Sequence, residues 1–384
     1  MRIIHTADIH LDMCFAAAGM PAGFGNRRRQ GLRDTLHFIL ERAASWPADA
    51  VLIAGDLFEH DRVSRDTVAF LRREFAAIQP IPILIAPGNH DPFVASSPYV
   101  TEPWPDNVII FRTPEWFAYV LEDKPLTVHG FAFDGPDISS NPFGSLRVPS
   151  DGRIHVAVGH GSERSRQPAT KAAYAPFHAM EAACEGLAYL ALGHFHAVTP
   201  VEGNYSTKMY YSGAPEGHGF GEQGMHCFLE VEIEKGQVQV TAAPSSGIVY
   251  ATYELDCSDF STSQEVVESI RGLAQESHVG QIARISLTGT CGQALQGGLA
   301  GVRDAVSPLF EHLELIDETR LQDDFEELAR DNTSLGAFVR TLNEAVAASS
   351  DERERRIRER AREVGVAAYR GQDLPIRGLR GNGR

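Results

Sequence analysis

Cysteine is scarce and scattered. Cys14, Cys184, Cys227, Cys257 and Cys291 are odd in number, and no two form a CxxC pair. That excludes a thiolate zinc site of the usual spacing and argues against a disulfide framework. A reducing, cytoplasmic setting is expected, with most of these cysteines acting as small core residues. Long apolar runs are missing too, so no membrane span is expected. The opening segment from Met1 to His5 lacks the charged and apolar regions of a signal peptide. Positive charge is in deficit: 35 Lys and Arg face 51 Asp and Glu, a net charge of −16. A protein that grips nucleic acid mainly by neutralising phosphates is usually basic, and this chain as a whole is not. The stretch Asp351–Arg384 runs the other way, with ten Arg against six Asp and Glu. No internal repeat or sustained heptad pattern is found.

What is present is an ordinary globular composition, 43% apolar and 22% charged over 384 residues, enough for one large domain and a smaller one. Arg2–Thr6 reads as a buried strand. A Gly- and Pro-containing loop at Gly19–Gly25 follows, and then a helix from an Asn26 cap to about Ser45, with Leu32, Leu36, Ile39, Leu40 and Ala43 at helical spacing. Val51–Ala54 is the next strand, Ser64 caps a second helix, and Pro82–Ala86 is the third strand. Further strands are expected at Val108–Phe111, Phe117–Leu121, Leu126–His129 and Ile154–Val158. A helix over about Thr170–Cys184 precedes a strand at Tyr189–Leu192. Strands near Lys208–Tyr211, His226–Ile233 and Val238–Thr241 are expected to finish a second sheet. The continuous apolar character of the early strands implies burial on both faces, as in two packed sheets with helices outside.

The composition shifts at Ala243–Gly247. Beyond it, a strand (Val249–Leu255), a helix (Ser263–Gln275), a strand (Gln281–Leu287), a helical stretch (Leu295–Ala305) and a strand (Leu313–Ile316) read as an α+β accessory domain. Helices follow at Ser334–Ala347 and Asp351–Val366, and then a loose tail. The expected division is a catalytic domain over 1–245, an accessory or capping domain over 246–325 and a helical C-terminal region over 326–384.

Five motifs carry the chemistry, each at the end of an apolar run: Asp8-Ile9-His10, Gly55-Asp56, Gly88-Asn89-His90-Asp91, Gly159-His160 and Gly193-His194-Phe195-His196. Together they supply carboxylates, an amide oxygen and imidazoles, the mixed oxygen and nitrogen set that suits a pair of divalent transition metals. Asp8 and His10, at i and i+2, would point to one side of an extended segment, and so would His194 and His196. Two metals about 3.5–4 Å apart call for a bridging carboxylate, and Asp56 is the best candidate. Asp8, His10 and one late histidine would complete one metal; Asn89, His160 and the other late histidine would complete the second. His90 follows Asn89 directly and should point away from the metal, free to protonate a leaving oxygen, with Asp91 orienting it.

These motifs resemble the calcineurin-like metallophosphoesterase superfamily. The segments His5–Asp12, Ala54–Phe58 and Ala191–His196, with Tyr211-Ser212-Gly213-Ala214-Pro215-Glu216, are similar to the SbcD-type DNA-repair exonuclease branch. The resemblance covers Met1 to Thr241 with specific motifs. It implies an α/β two-sheet metallophosphoesterase sandwich flanked by helices. It also implies Asp8, His10, Asp56 and His196 on one metal, and Asp56, Asn89, His160 and His194 on the other, with His90 touching the phosphate. Two manganese ions (iron or zinc being alternatives), 3′-to-5′ exonuclease or endonuclease action on DNA, an SMC-like ATPase partner and a homodimer come with it. The chain departs from the branch after Gly55-Asp56-Leu57-Phe58. Many relatives carry His or Asp there to position DNA, whereas Glu59 and then His60 stand here.

Other residues admit plainer roles. Arg27, Arg28, Arg29 and Arg33 either track a DNA backbone or form a solvated helix face. His5, His129 and His155 read as core histidines or as supports behind the site, and His218 as a surface residue that could also reach substrate. The Asp351–Glu363 run reads as an exposed helix with i, i+4 pairs such as Glu352–Arg356 and Glu354–Arg358. Two other functions compete: a phosphodiesterase for small molecules or nucleotides, which the acidic balance suits, and a non-catalytic scaffold, which the full ligand set disfavours.

Overall fold

The structure is a computed structural model and describes residues 1–15, 23–167, 172–321 and 323–371. Most of the expected Gly19–Gly25 loop and all of the tail beyond Gly371 lie outside the described residues. The chain divides into two compact units. The first comprises Met1–Tyr253, Leu273–Arg284 and Leu309–Glu314; the second comprises Glu254–Gly272, Ile285–Pro308 and Leu315–Arg384.

In the first unit, β1 (Arg2–Thr6), α1 (Phe24–Ser45), β2 (Ala50–Ile53), α2 (Arg65–Ala77), β3 (Ile83–Ile85), α3 (Pro98–Thr101) and β4 (Val108–Ile110) follow in order. β1 to β4 pair in parallel through helical crossovers. Next come β5 (Phe117–Leu121), β6 (Leu126–Gly130), β7 (Ile154–His160), α4 (Ala179–Ala182), β8 (Leu187–Gly193), β9 (Thr199–Val201), β10 (Lys208–Tyr211), β11 (Cys227–Glu234) and β12 (Gln237–Pro244). Two six-stranded sheets result, ordered β12-β11-β1-β2-β3-β4 and β5-β6-β7-β8-β10-β9. This is the α/β two-sheet sandwich that the motif pattern implied.

The central strands β1, β2, β3, β6, β7 and β8 are almost wholly buried because both faces are covered, whereas the edge strands β5 and β12 are largely exposed. Ile3, Leu52, Leu84, Val156, Val158, Tyr189 and Ala191 enter one core cluster. Their neighbours Ile4, Val51, Ile53, Ile83 and Ile85 enter another with Leu32, Leu36 and Ile39 of α1 and Leu71 and Phe75 of α2. On the far face of the second sheet, Ala157, Leu190, Leu192 and Met209 pack with Phe131, Phe143 and Phe177. Each fully buried aliphatic side chain contributes about 1.5–3 kcal/mol.

Four expectations about elements are corrected. β11 and β12 do not complete the second sheet: β11 returns to pair antiparallel with β1, so the chain closes the first sheet on its other edge. Alternating strands carry no label for the sheet they join. α1 starts at Phe24 from Gly23, not from Asn26. Of the helix expected over Thr170–Cys184, the described part is helical only at Ala179–Ala182. Pro176 disfavours helix at the residue before it, and Tyr174 and Phe177 instead exchange main-chain bonds with Ser162. The cysteines are not mostly core residues: all five are free and only Cys257 and Cys291 are buried.

β13 (Ile248–Asp256), α5 (Ser263–Gln275), β14 (Gly280–Thr288), β15 (Thr290–Cys291), α6 (Gln293–Val306), β16 (His312–Asp317), β17 (Arg320–Leu321), α7 (Phe325–Arg330), α8 (Ser334–Ala347) and α9 (Glu352–Tyr369) complete the chain. β13, β14 and β16 form a three-stranded sheet. In the second unit α8 packs on α7 and α9. The Glu352–Arg356 and Glu354–Arg358 pairs form at 3.4 and 2.6 Å, while Arg362 turns inward over the Phe325 ring. Among the described residues no helix is long and apolar enough to cross a membrane.

One core histidine sets an acid limit on the fold. His5 is fully buried, with Nδ1 2.8 Å from the Tyr189 hydroxyl and Nε2 3.1 Å from the Leu192 carbonyl. Burial pushes its pKa down from 6.5 to about 3, against the opposing Leu192 bond. Below pH 6.5 the unfolded chain takes up a proton that the folded chain refuses, so stability falls as the pH drops towards about 3. His5→Gln removes this linkage. Unfolding free energies from urea melts of the variant should show a loss between about pH 7 and pH 5 that is smaller than the wild-type loss by about 2 kcal/mol.

Candidate metal centre

The motif residues lie beyond the carboxyl ends of parallel strands, where open α/β sheets place their ligands. Asp8 and His10 follow β1, Asp56 follows β2, Asn89 and His90 follow β3, His160 ends β7, and His194 and His196 follow β8. The loops after β1 and β2 continue side by side: Asp8 N donates to Gly55 O, His10 N to Asp56 O and Leu11 N to Leu57 O. Close approach explains two glycines. A Cβ on Gly193 would lie 1.9 Å from the Ala54 carbonyl oxygen, and one on Gly88 would lie 2.3 Å from Asp56 Oδ1.

Asp8 and His10 do not reach the site along an extended segment. Their φ angles are 53° and 52°, and Asp56 and His194 are also left-handed at 52° and 113°. Such backbone costs on the order of 1–3 kcal/mol per residue and clusters at functional sites.

The seven residues expected to hold metal converge. Asp8, Asp56 and His160 bring one donor atom each within 4.8 Å of one another, as do His10, Asp56 and His90. Asp56 Oδ2 lies 3.3 Å from His160 Nε2 and 3.7 Å from His10 Nε2. Asn89 Oδ1 is 3.0 Å from His160 Nε2, whose Nδ1 faces the Ala54 carbonyl at 2.9 Å. The His194 amide donates to both Asp8 oxygens at 3.0 Å, and the His194 and His160 rings stand 5.3 Å apart.

The remaining expected residues separate. Asp91 does not orient His90. Its carboxylate accepts from the amides of Asp56, Leu57 and Gly88 and from the Tyr99 hydroxyl, tying the β2 and β3 loops together. Glu59 is what faces His90, at 3.1 Å from Nδ1, and its other oxygen lies 2.7 Å from His10 Nδ1. His60 turns away, with Nε2 3.2 Å from Ser96 Oγ. Arg28 cannot touch a substrate: it is buried, pairs with Glu216 at 2.5 Å and donates to Gly217 O. Arg27 is exposed on α1. His129 and His155 are buried and bonded to one another at 3.0 Å.

Sequence reasoning missed Glu222, whose Oε1 lies 2.7 Å from His196 Nδ1. It also placed His218 at the surface, whereas that side chain is 4% exposed. Nothing local in the glycine-rich stretch around them signals burial.

The donor set fits divalent cations. Asp8 and Asp56 are buried, and among the described residues no Lys or Arg pairs with either. His10 Nε2 is buried with no hydrogen-bond partner. Burial raises the Asp56 carboxyl, but the charges of His160, His10 and His90 and the His160 bond outweigh it and hold it far below the usual range. Burial raises Asp8. His160 is held up at about 9 against its burial, chiefly by Asp56, while burial, helped by the charge of His160, drops His194 to about 3. Protons thus balance the buried carboxylates where cations would otherwise do so, and metal binding to such a site displaces them.

Two packed sheets with paired carboxylate and imidazole clusters at their strand ends define a binuclear metal-site protein of the α/β class. Residues 1–198 match the calcineurin-like phosphoesterase model, and the chain belongs to that family. Its members are dimetal-dependent hydrolases of phosphoester bonds. The chain is 23% identical over 265 residues to the uncharacterized metallophosphoesterase YhaO of Bacillus subtilis, covering 67% of this chain and 64% of that protein. It is 24% identical over 268 residues to the DNA double-strand break repair protein Mre11 of Methanopyrus kandleri, covering 62% and 51%. The chain thus spans about half to two thirds of the length of these curated relatives. Among solved structures it is similar to a dimetal phosphatase from Danio rerio, 10% identical with a TM-score of 0.42, covering 64% of this chain and 96% of that one.

Proposed function

We propose that this chain is a two-metal phosphodiesterase acting on DNA, cutting as a 3′-to-5′ exonuclease, an endonuclease or both. The carrying observation is that Asp56 belongs to two donor clusters at once, one with Asp8 and His160 and one with His10 and His90. Asp8, His10, Asp56 and His196 would hold one ion, and Asp56, Asn89, His160 and His194 the other, manganese being the metal we favour. Bound there, the ions would acidify a water and offset charge on the phosphate oxygens.

The chain's own residues do the rest. His90 leaves its side chain 44% exposed to an incoming substrate. The Glu59 bond raises its pKa to about 9, against burial, so the ring carries a proton at neutral pH. Glu59 occupies Nδ1, leaving the Nε2 proton for the leaving oxygen. Cations beside Asp56 would draw that pKa back towards neutrality, where proton transfer is most effective. Asp91 acts through backbone, holding the Asp56 and Gly88 turns together.

DNA as substrate is supported by the similarity to the Mre11 protein of Methanopyrus kandleri. The residues around Asp8, Asp56 and His196 support it too. The division into a catalytic domain over 1–245, a capping domain over 246–325 and a helical region over 326–384 is part of this proposal. So are an SMC-like ATPase partner, a homodimer and a cytoplasmic setting, the last favoured by five free cysteines. The net charge of −16 favours small diesters instead, and one experiment separates the two. With Mn2+, the chain should degrade labelled duplex ends, and a small chromogenic diester should not compete at comparable concentration. Fast turnover of the small diester with intact DNA would overturn the DNA proposal.

A further inference from the structure

His218 stands near the centre, and neither the two-metal assignment nor the role given to His90 uses it. Its side chain is 4% exposed, and neither ring nitrogen has a hydrogen-bond partner. Nδ1 stands 3.6 Å from Glu222 Oε2, beyond hydrogen-bonding range. The ring lies 5.2 Å from that of His10 and 5.0 Å from that of His196. One nitrogen from each of these three imidazoles falls within a 4.8 Å span.

The neighbours are already oriented. Glu59 takes His10 Nδ1 and Glu222 takes His196 Nδ1, both at 2.7 Å. Each ring is left with Nε2 for a ligand, the carboxylate–histidine arrangement that fixes tautomer and direction at metal sites. The loop carrying His218 is clamped as well. Glu216 is buried against Arg28 and Thr35, Arg28 also holds the Gly217 carbonyl, and the His218 amide donates to Glu222 Oε2 at 2.9 Å. A buried imidazole with no partner, fixed from both sides beside two metal-directed histidines, has the features of a preorganised ligand.

We propose that His218 is a further protein donor to the ion held by Asp8, His10, Asp56 and His196. This rests on the two-metal reading above. The first site then has three imidazoles against two in the second, which favours zinc or iron there more strongly than an oxygen-rich set would.

The test measures metal binding, not activity. The chelator-stripped full chain is titrated with Zn2+ and Mn2+ by calorimetry, with metal content after dialysis as a check. Wild type should bind two ions. His218→Ala and His218→Gln should each weaken one ion by about tenfold or more, in the range expected for ligand-supporting residues, with a larger loss for Zn2+ than for Mn2+. Thermal melts of the stripped proteins confirm that the variants fold. A third measurement needs no variant to be loaded: on Zn2+ addition to 15N-histidine-labelled wild type, the His218 ring resonance, identified by its absence in His218→Gln, should move to a metal-bound position. Two ions bound with wild-type affinity in both variants, or an unmoved resonance, overturns the role of His218. Two further outcomes separate the claims: fewer than two ions bound by the wild type overturns the two-metal reading itself, and two ions retained by Asp56→Asn removes only the bridging role of Asp56, whatever His218 does.

Discussion

Asp56→Asn should leave a folded chain that has lost its ability to hold two ions and with it at least about a thousandfold in turnover, since the bridging charge is what lets two cations sit close together. Among the described residues no other belongs to both the cluster with Asp8 and His160 and the cluster with His10 and His90. The amide keeps the shape, and its carbonyl can still accept the His90 amide bond now made to Oδ1 at 2.9 Å. What vanishes is the carboxylate that His160 and His10 face at 3.3 and 3.7 Å. Metal analysis after dialysis and phosphodiester turnover on the same preparation check this. Two ions retained by a folded variant would show that Asp56 is no bridge.

His90→Gln should do the opposite to metal content and nearly the same to rate. The ring donates no bond to the buried carboxylates, so both ions should stay, while turnover drops by about 10²–10⁴-fold with the loss of a proton donor. Glu59→Gln is the companion variant. In the wild type the Glu59 bond raises the His90 pKa, so a donor role holds until the pH rises through that value. Without the carboxylate the pKa falls, and the alkaline limb of the rate profile should move to lower pH while the acid limb stays. An unchanged alkaline limb would remove Glu59 from the mechanism. Full activity in His90→Gln would remove His90.

The legible parts of the molecule are those set by contacts close in sequence. Ser64 accepts the Thr67 amide as a helix cap, and Ser263–Gln275 and Ser334–Ala347 form helices with the expected bounds. The alternation through Ile3-Ile4 and Val51-Leu52-Ile53 divides side chains between two cores as period two demands. Asn26 misled because Gly23, with its φ of 81°, already starts the helix.

Functional assignments failed where distant chain segments meet. Arg28 looked free because its partner Glu216 lies 188 residues away. Asp91 looked like the partner of His90 because it is adjacent, yet Glu59, 31 residues earlier, takes that place. His218 looked superficial among glycines, and only its packing against His10 and His196 buries it.

By itself, the sequence determined which donor types exist, their order along the chain and their attachment to the ends of apolar strands. Those features depend on residue identity and on a backbone period that neighbouring residues share. Only the tertiary structure decided which carboxylate faces which imidazole, that β11 returns to β1, and that His218 is enclosed. Each of these is a meeting of segments tens to hundreds of residues apart. Burial and long-range hydrogen bonding decide such meetings, and no local pattern records them.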